Sequence, residues 1–337
     1  DLLQEAKPQV TKNSSGYFLW NVWDGHHFDV TKLITGSQGT LGIITRSKLR
    51  LVPVEPHSRM LVIFLKDFAP LAQLVPIVLR HDPESFESYD DHTLKFALRY
   101  LPSLMKQMRG NLWSLLPQFL PELKVVLTSG MPKLVLMAEF TGGSVREVNQ
   151  AALAAQKELQ EQFPKLRTTV THNRGESRKY WVVRRESFNL LRKHVRHKRT
   201  APFIDDCCVP VSTLPQFLPE LAEIMAQYRI IYTIAGHIGD ANFHIIPLMD
   251  LRDPRQRQII PELSRKVYDL VFKYGGTMSG EHNDGLVRTP YMKDMYGLRI
   301  YQLFLETKDI FDPQGIFNPG KKVDGSLEYS LEHLIKN

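Results

Sequence analysis

His237-Ile238-Gly239-Asp240-Ala241-Asn242-Phe243-His244 sets two histidines on either side of a turn, and Ser279-Gly280-Glu281-His282-Asn283-Asp284-Gly285 follows as a second glycine-flanked loop. Read as a tight hairpin connection over residues 239–242, the first stretch makes Ile238 face Phe243 and His237 face His244 across two strands. Directly opposed residues share a sheet face, with Cβ atoms roughly 5 Å apart. Two imidazoles at that spacing can converge on one cation, with Glu281 as a third ligand and a position left open for substrate. A single histidine is more often a satisfied core or surface residue, so the weight rests on the four-residue set that His282 completes. Asp240 and Asn242 are read as residues that shape the turn.

Working outward, strands and helices alternate. An apolar strand over 60–65 is followed by a helix over 69–79, and the sequence then predicts a strand at 134–140 and a helix at 144–162. A strand at 167–172, a helix at 176–195, a strand at 203–209 and a helix at 214–227 lead into the histidine hairpin at 230–247. Helices at 254–273 and 294–308 flank the second loop, and a turn-rich tail from Phe311 to Lys321 closes the pattern. Helices interspersed with strands and a hairpin make this an α+β chain, a sheet layered with helices. Pro53 and Pro56 mark a first boundary, just after three glycines in seven residues at Gly36, Gly39 and Gly42. Glycines so spaced let the backbone approach something flat or anionic, although turns need them too.

At 337 residues, 43% hydrophobic and 23% charged, the chain can bury a sizeable core. No apolar run reaches the roughly 18 residues of a membrane span. The two cysteines, Cys207 and Cys208, are adjacent, which leaves no disulfide framework and fits a reducing interior. The net charge of +7 is partly local, with Arg184, Arg185, Arg192, Lys193, Arg196, Lys198 and Arg199 in one segment. Such a run is a solvated helix face or a site for an anionic substrate, cofactor phosphates or an acidic partner; no motif for nucleic acid accompanies it. Residues 92–131 mix leucines, Met105, Met108 and Trp113 with basic residues and prolines. They read as an insertion folded onto the sheet or as a membrane-surface element.

These pieces together resemble the FAD-linked oxidases of the vanillyl-alcohol oxidase superfamily, in particular its D-2-hydroxyacid dehydrogenases. The resemblance runs through Lys12-Asn13-Ser14-Ser15-Gly16-Tyr17, the loop from Gly36 to Thr45, Trp181-Val182-Val183-Arg184, the two histidine motifs and Asn318-Pro319-Gly320-Lys321. It implies the C-terminal part of a flavin-binding domain at 1–56, an α+β substrate domain with an antiparallel sheet covered by helices at 57–308, and a return segment at 309–337. The chain then starts inside the flavin domain, downstream of the family's pyrophosphate-cradling loop. FAD is expected against Asn13, Gly36, Ser37, Gly39, Thr40, Gly42, Ile43 and Asn318. Arg184 is expected to hold a substrate carboxylate, and His237, His244 and Glu281 a divalent metal, zinc on ligand type. His282 then serves as general base, Asp206 orients a neighbouring group, and a D-2-hydroxy acid becomes a 2-oxo acid. Electrons leave to a quinone, a flavoprotein carrier or a cytochrome, in a protein of the cytoplasm or of the membrane's inner face. Two departures from the family's pattern are Asn283 and Ala241, each where glycine is common. Asparagine tolerates the left-handed backbone better than most residues. Two other readings use the same cluster, a flavin-free metal-dependent hydrolase and a non-catalytic substrate-domain module.

Overall fold

The computed structural model describes residues 2–100, 130–194 and 197–334, without the side chains of 186–194. Residues 92–131, read as an insertion or a membrane-surface element, fall largely outside the described residues. No described helix is long and apolar enough to cross a membrane. The chain divides into two compact units, the first made of residues 1–51, 203–210 and 250–337, the second of 52–202 and 211–249. The expected boundary near residue 56 lies close to the first division, whereas residues 250–308 cluster with the first unit.

In the second unit, strands β1 (His57–Leu65), β2 (Ser85–Asp90), β3 (Leu134–Gly142), β4 (Arg167–Val170), β5 (Arg199–Thr200), β6 (Ile231–His237) and β7 (Asn242–Met249) form an antiparallel sheet. Their order is β4-β1-β3-β2-β6-β7-β5. Helices α1 (Leu71–Leu79), α2 (Asp91–Arg99), α3 (Val145–Gln162), α4 (Arg174–His194) and α5 (Leu214–Ala226) intervene. β1 reads as an apolar run because both of its faces are covered, and Met60 to Leu65 are all buried. Alternation assigns the faces. Met60, Val62, Phe64, Tyr89, Val135 and Met137 pack with Leu94 and Ala97 of α2 and with Tyr180 and Val183 of α4. α3 contacts β1 and β3, and its stripe Val148, Ala152, Ala155 and Leu159 is buried. Ser144 caps α3 by accepting from the Glu147 N–H, and Glu147 Oε2 accepts from the Gly143 N–H.

The hairpin turns differently from the sequence reading. Its turn is a 3-10 segment, Ile238–Asp240, closed by Ala241 with φ 49° and ψ 38°. The partners are therefore His237 with Asn242, Gly236 with Phe243 and Ala235 with His244. Ile238, fully buried, closes the turn instead of starting a cross-strand pair. The two histidines stay on one face as diagonal neighbours, since both lie an even number of positions from the Ala235–His244 pair.

In the first unit, α6 (Pro254–Lys273) and α7 (Met292–Phe311) match the two expected helices, with a break at Gly297 (φ 72°) inside α7. The strand expected at 203–209 is reduced to Cys207–Cys208. Asp206 just before it takes φ 76°, which no continuous strand allows. Residues 43–51 carry no regular secondary structure, and Ile43, Ile44, Leu49 and Leu51 are exposed.

Two substitutions test the hairpin. A Cβ at Gly236 would lie 2.1 Å from the Asn242 carbonyl oxygen, so Gly236→Ala should destabilise the chain by about 1–3 kcal/mol in chemical denaturation. Ala241→Gly removes a left-handed cost of about 1–2 kcal/mol against about 0.4–1 kcal/mol of added chain entropy. It should leave stability equal or slightly higher.

Candidate active site

The Glu281–His282 loop of the first unit is built around one buried carboxylate. Asp206 accepts from Ser279 Oγ at 2.5 Å, from the Glu281 N–H at 3.0 Å and from the His282 N–H at 2.8 Å. Its own carbonyl accepts from the Gly280 N–H at 2.9 Å. Three successive loop amides are thus tied to one residue. Ligand atoms of Asp206, Glu281 and His282 lie within 4.8 Å of one another, a donor set of two carboxylates and an imidazole that suits a divalent cation.

Asp205 orients the histidine, with its Oδ2 3.2 Å from His282 Nδ1. His282 Nε2 lies 3.5 Å from Glu281 Oε1, and Lys12 Nζ 3.1 Å from Glu281 Oε2. The bond to Asp205 raises the His282 imidazole above its ordinary range against partial burial, and the charges of Asp206, Asp205 and Glu281 add to it. Beneath the loop, buried Arg288 donates to the carbonyls of Met278, Asn283 and Asp205. Asn283 sits at φ 67°, in the left-handed region its residue type tolerates.

The predicted flavin segments gather in this same unit. Lys322, fully buried, donates to the Ser14 carbonyl at 2.7 Å, the Gly16 carbonyl at 2.9 Å and Asn283 Oδ1 at 2.7 Å. It pairs with Asp284 at 3.0 Å. Burial pulls its ammonium below the usual lysine range, opposed by the Asp284 charge. Lys308 ties the Thr40 and Phe317 carbonyls to Asp312, and Asn318 Nδ2 donates to the Gln38 carbonyl at 2.7 Å. The result is a cavity of about 570 Å³ lined by Asn13, Gly36, Ser37, Phe18, Trp20, Glu281 and Asn283, among others. Of the other predicted flavin residues, Gly39, Thr40, Gly42, Ile43 and Asn318 lie outside that lining. Thr40 is buried against Tyr17 Oη at 2.6 Å, and the Asn13 amide is engaged with Tyr296, Thr277 and Ser15.

In the second unit the rings of His237 and His244 lie 5.3 Å apart, edge to face. His237 Nδ1 is 2.7 Å from Glu87 Oε1, and Arg184 Nη2 is 2.5 Å from Glu87 Oε2. Trp181 Nε1 donates to Glu139 Oε2 at 3.0 Å, and Arg185 lies over the Trp181 ring. Sequence reading passed over Glu87, Asp205, Arg288 and Lys322. The adjacent acids Asp205-Asp206 in an apolar run were the one visible signal among them.

The sequence profile of the family described as FAD linked oxidases, C-terminal domain, matches residues 54–322. The chain belongs to the FAD-linked oxidase C-terminal domain family. This bears out the resemblance drawn from the motifs. The D-2-hydroxyglutarate dehydrogenase of Pseudomonas putida is 25% identical over 324 residues, covering 95% of this chain and 31% of that protein. The glycolate oxidase subunit GlcD of Bacillus subtilis is 25% identical over 296 residues, 87% of this chain and 57% of the relative. The probable mitochondrial D-lactate dehydrogenase of Danio rerio is 27% identical over 307 residues, 88% and 54%. The family member thus spans about a third to a little over half the length of these relatives. Among solved structures, 4-ethylphenol oxidase from Gulosibacter chungangensis superposes with a TM-score of 0.57 at 14% identity, over 83% of this chain and 56% of that one. An alkyldihydroxyacetonephosphate synthase gives 0.57 at 15%, over 88% and 51%. Both likenesses carry the fold, which agrees with the expected α+β architecture.

Two measurements probe this unit. In metal-free protein, NMR titration should place His282 above the free imidazole value of about 6.5, and Asp205→Asn should bring it back down. A raised folded-state value means that His282 stabilises the fold below about pH 6.5, a contribution lost as pH rises through the folded value. Lys322→Met leaves Asp284 buried and unpaired, and should cost about 3–5 kcal/mol of stability in denaturant titration.

Proposed function

We propose that this chain is the substrate-side portion of an FAD-dependent dehydrogenase that converts a D-2-hydroxy acid, of the lactate, glycolate or 2-hydroxyglutarate type, to its 2-oxo acid. Family membership and the names of the relatives support the reading. The observation that carries it is an imidazole oriented by a carboxylate, His282 on Asp205, beside a Glu281 that lines the cavity.

The cavity fits part of a flavin: its volume falls within the roughly 300–1,000 Å³ of ligand sites, and aromatic walls adjoin amide and hydroxyl groups. Asn13, Gly36 and Ser37 would face the ring system, and Gly39, Thr40, Gly42, Ile43 and Asn318 would shape the surrounding loops. Glu281, together with His237 and His244, would hold a divalent cation, zinc on donor type. Such a cation supplies Lewis acidity that lowers the pKa of the substrate's α-hydroxyl. Bound FAD would supply the two-electron acceptor for the α-hydrogen.

The remaining work belongs to the chain itself. Arg184 pairs with the substrate carboxylate and fixes which face of the α-carbon is presented. His282 removes the hydroxyl proton through Nε2, because Nδ1 is held by Asp205. The substrate loses one proton and one hydrogen with its electron pair, and its C–O single bond becomes the carbonyl. Electrons then pass to an external acceptor, a quinone, a flavoprotein carrier or a cytochrome.

Anaerobic bleaching of the flavin-loaded protein by a panel of D-2-hydroxy acids tests this directly, and absence of bleaching by every member refutes it. His282→Ala should slow flavin reduction by about 10²–10⁴-fold. Arg184→Ala should chiefly raise the dissociation constant for the acid, read from the concentration dependence of stopped-flow reduction.

A further inference from the structure

A cavity of about 460 Å³ opens at the β4 edge of the sheet in the second unit. Its floor is the end of β1, where Phe64 and Leu65 are buried. One wall is the turn from α3 into β4, which presents half-buried Phe163 and Leu166. The other is the loop from β1 into α1. Each wall is held in shape by its own hydrogen bonds. The Phe163 N–H donates to the Leu159 carbonyl at 2.8 Å and the Leu166 N–H to the Phe163 carbonyl at 2.9 Å. In the opposite loop, Asp67 Oδ1 accepts from the Ala69 N–H at 3.0 Å. The β1–β4 register sets Phe64 opposite Arg167 and so joins floor to wall.

Lys66, Lys165 and Arg167, all exposed, stand around this apolar floor. Among the described residues Asp67 is the one acid in the lining, and none of the three cations is paired with a carboxylate. Ligand sites of this size combine apolar walls with a few placed polar groups. A positive rim over an apolar floor complements an anionic head on a hydrocarbon chain. β3 and β2 separate β1 from β6, so the cavity lies at least about 14 Å, three strand spacings, from the hairpin histidines. It is therefore separate from the groups assigned to the 2-hydroxy acid.

We propose that this cavity binds an anionic amphiphile: its alkyl chain lies against Phe64, Leu65, Phe163 and Leu166, and its carboxylate or phosphate head meets Lys66, Lys165 and Arg167. The planar fork of arginine suits an oxyanion, and lysine stems cover apolar surface while their ammonium groups reach the head. A free fatty acyl anion and an anionic membrane lipid both offer this chemistry.

The test uses the whole chain in titration calorimetry, with decanoate as the probe. Decanoate should bind saturably, and each CH₂ removed, through octanoate to hexanoate, should weaken binding about fourfold. Acetate, a head without a chain, and decanol, a chain without a head, should each bind far less. Reversing two exposed cations together, Lys165→Glu with Arg167→Glu, should weaken decanoate binding by about 10–100-fold. Arg184→Ala should leave it unchanged. The proposal is overturned by a lack of saturable binding below about 1 mM. Affinity independent of chain length, unchanged in the double variant, or lost in Arg184→Ala also overturns it. Should the double variant not fold, the chain-length series and the acetate and decanol controls decide. Sedimentation with phosphatidylglycerol vesicles that decanoate competes away assigns the site to a membrane lipid; decanoate binding without such sedimentation assigns it to a free acyl anion.

Discussion

Asp206 holds its backbone in the left-handed region in order to aim one carboxylate at three donors of the Ser279–His282 loop. A non-glycine residue pays about 1–2 kcal/mol for that conformation, and charge-assisted bonds to a buried carboxylate contribute about 1.5–3 kcal/mol each. The balance favours the strained residue, and the loop takes one shape. Glu281 and His282 inherit their positions from it. Arg288 secures the same loop from below, and the Lys322–Asp284 pair secures it to the segment at 14–16. These are buried ions serving to fix loops, since each bonds to carbonyls from segments far apart in sequence.

Much of this was legible before any coordinates. The periodicity of α3, α6 and α7 and the apolar run of β1 locate the layers, because burial imposes those patterns directly. Asn283 could be expected to take a left-handed conformation from its residue type, and it does. The motif histidines could be placed on one sheet face, and they are. The pairing between them could not be read correctly, because a buried Ile238 and a left-handed Ala241 shift the turn by one residue on each strand.

What stayed hidden has a common cause. Ser85-Phe86-Glu87-Ser88-Tyr89-Asp90 lacks the composition of an interior strand, yet β2 lies inside the sheet. Its acids are retained for specific partners: Glu87 for His237 and Arg184, Asp90 for the Thr93 and Ile234 amides. Asp205-Asp206 likewise interrupts an apolar run that reads as a strand. In both places local propensity and tertiary structure disagree, and that conflict is expected where chemistry outweighs foldability.

The uncovered stretch at 43–51 bears on how the polypeptide behaves outside its native setting. Ile43, Ile44, Leu49 and Leu51 present apolar side chains on a backbone without regular pairing. Backbone groups left unpaired in such a stretch are open to a neighbour with a free strand edge. Arg46, Lys48 and Arg50, interleaved along it, act as charged gatekeepers that keep two like stretches apart at low ionic strength. Screening by salt weakens that repulsion and strengthens the pull between the oily side chains, so self-association of this polypeptide grows as ionic strength rises.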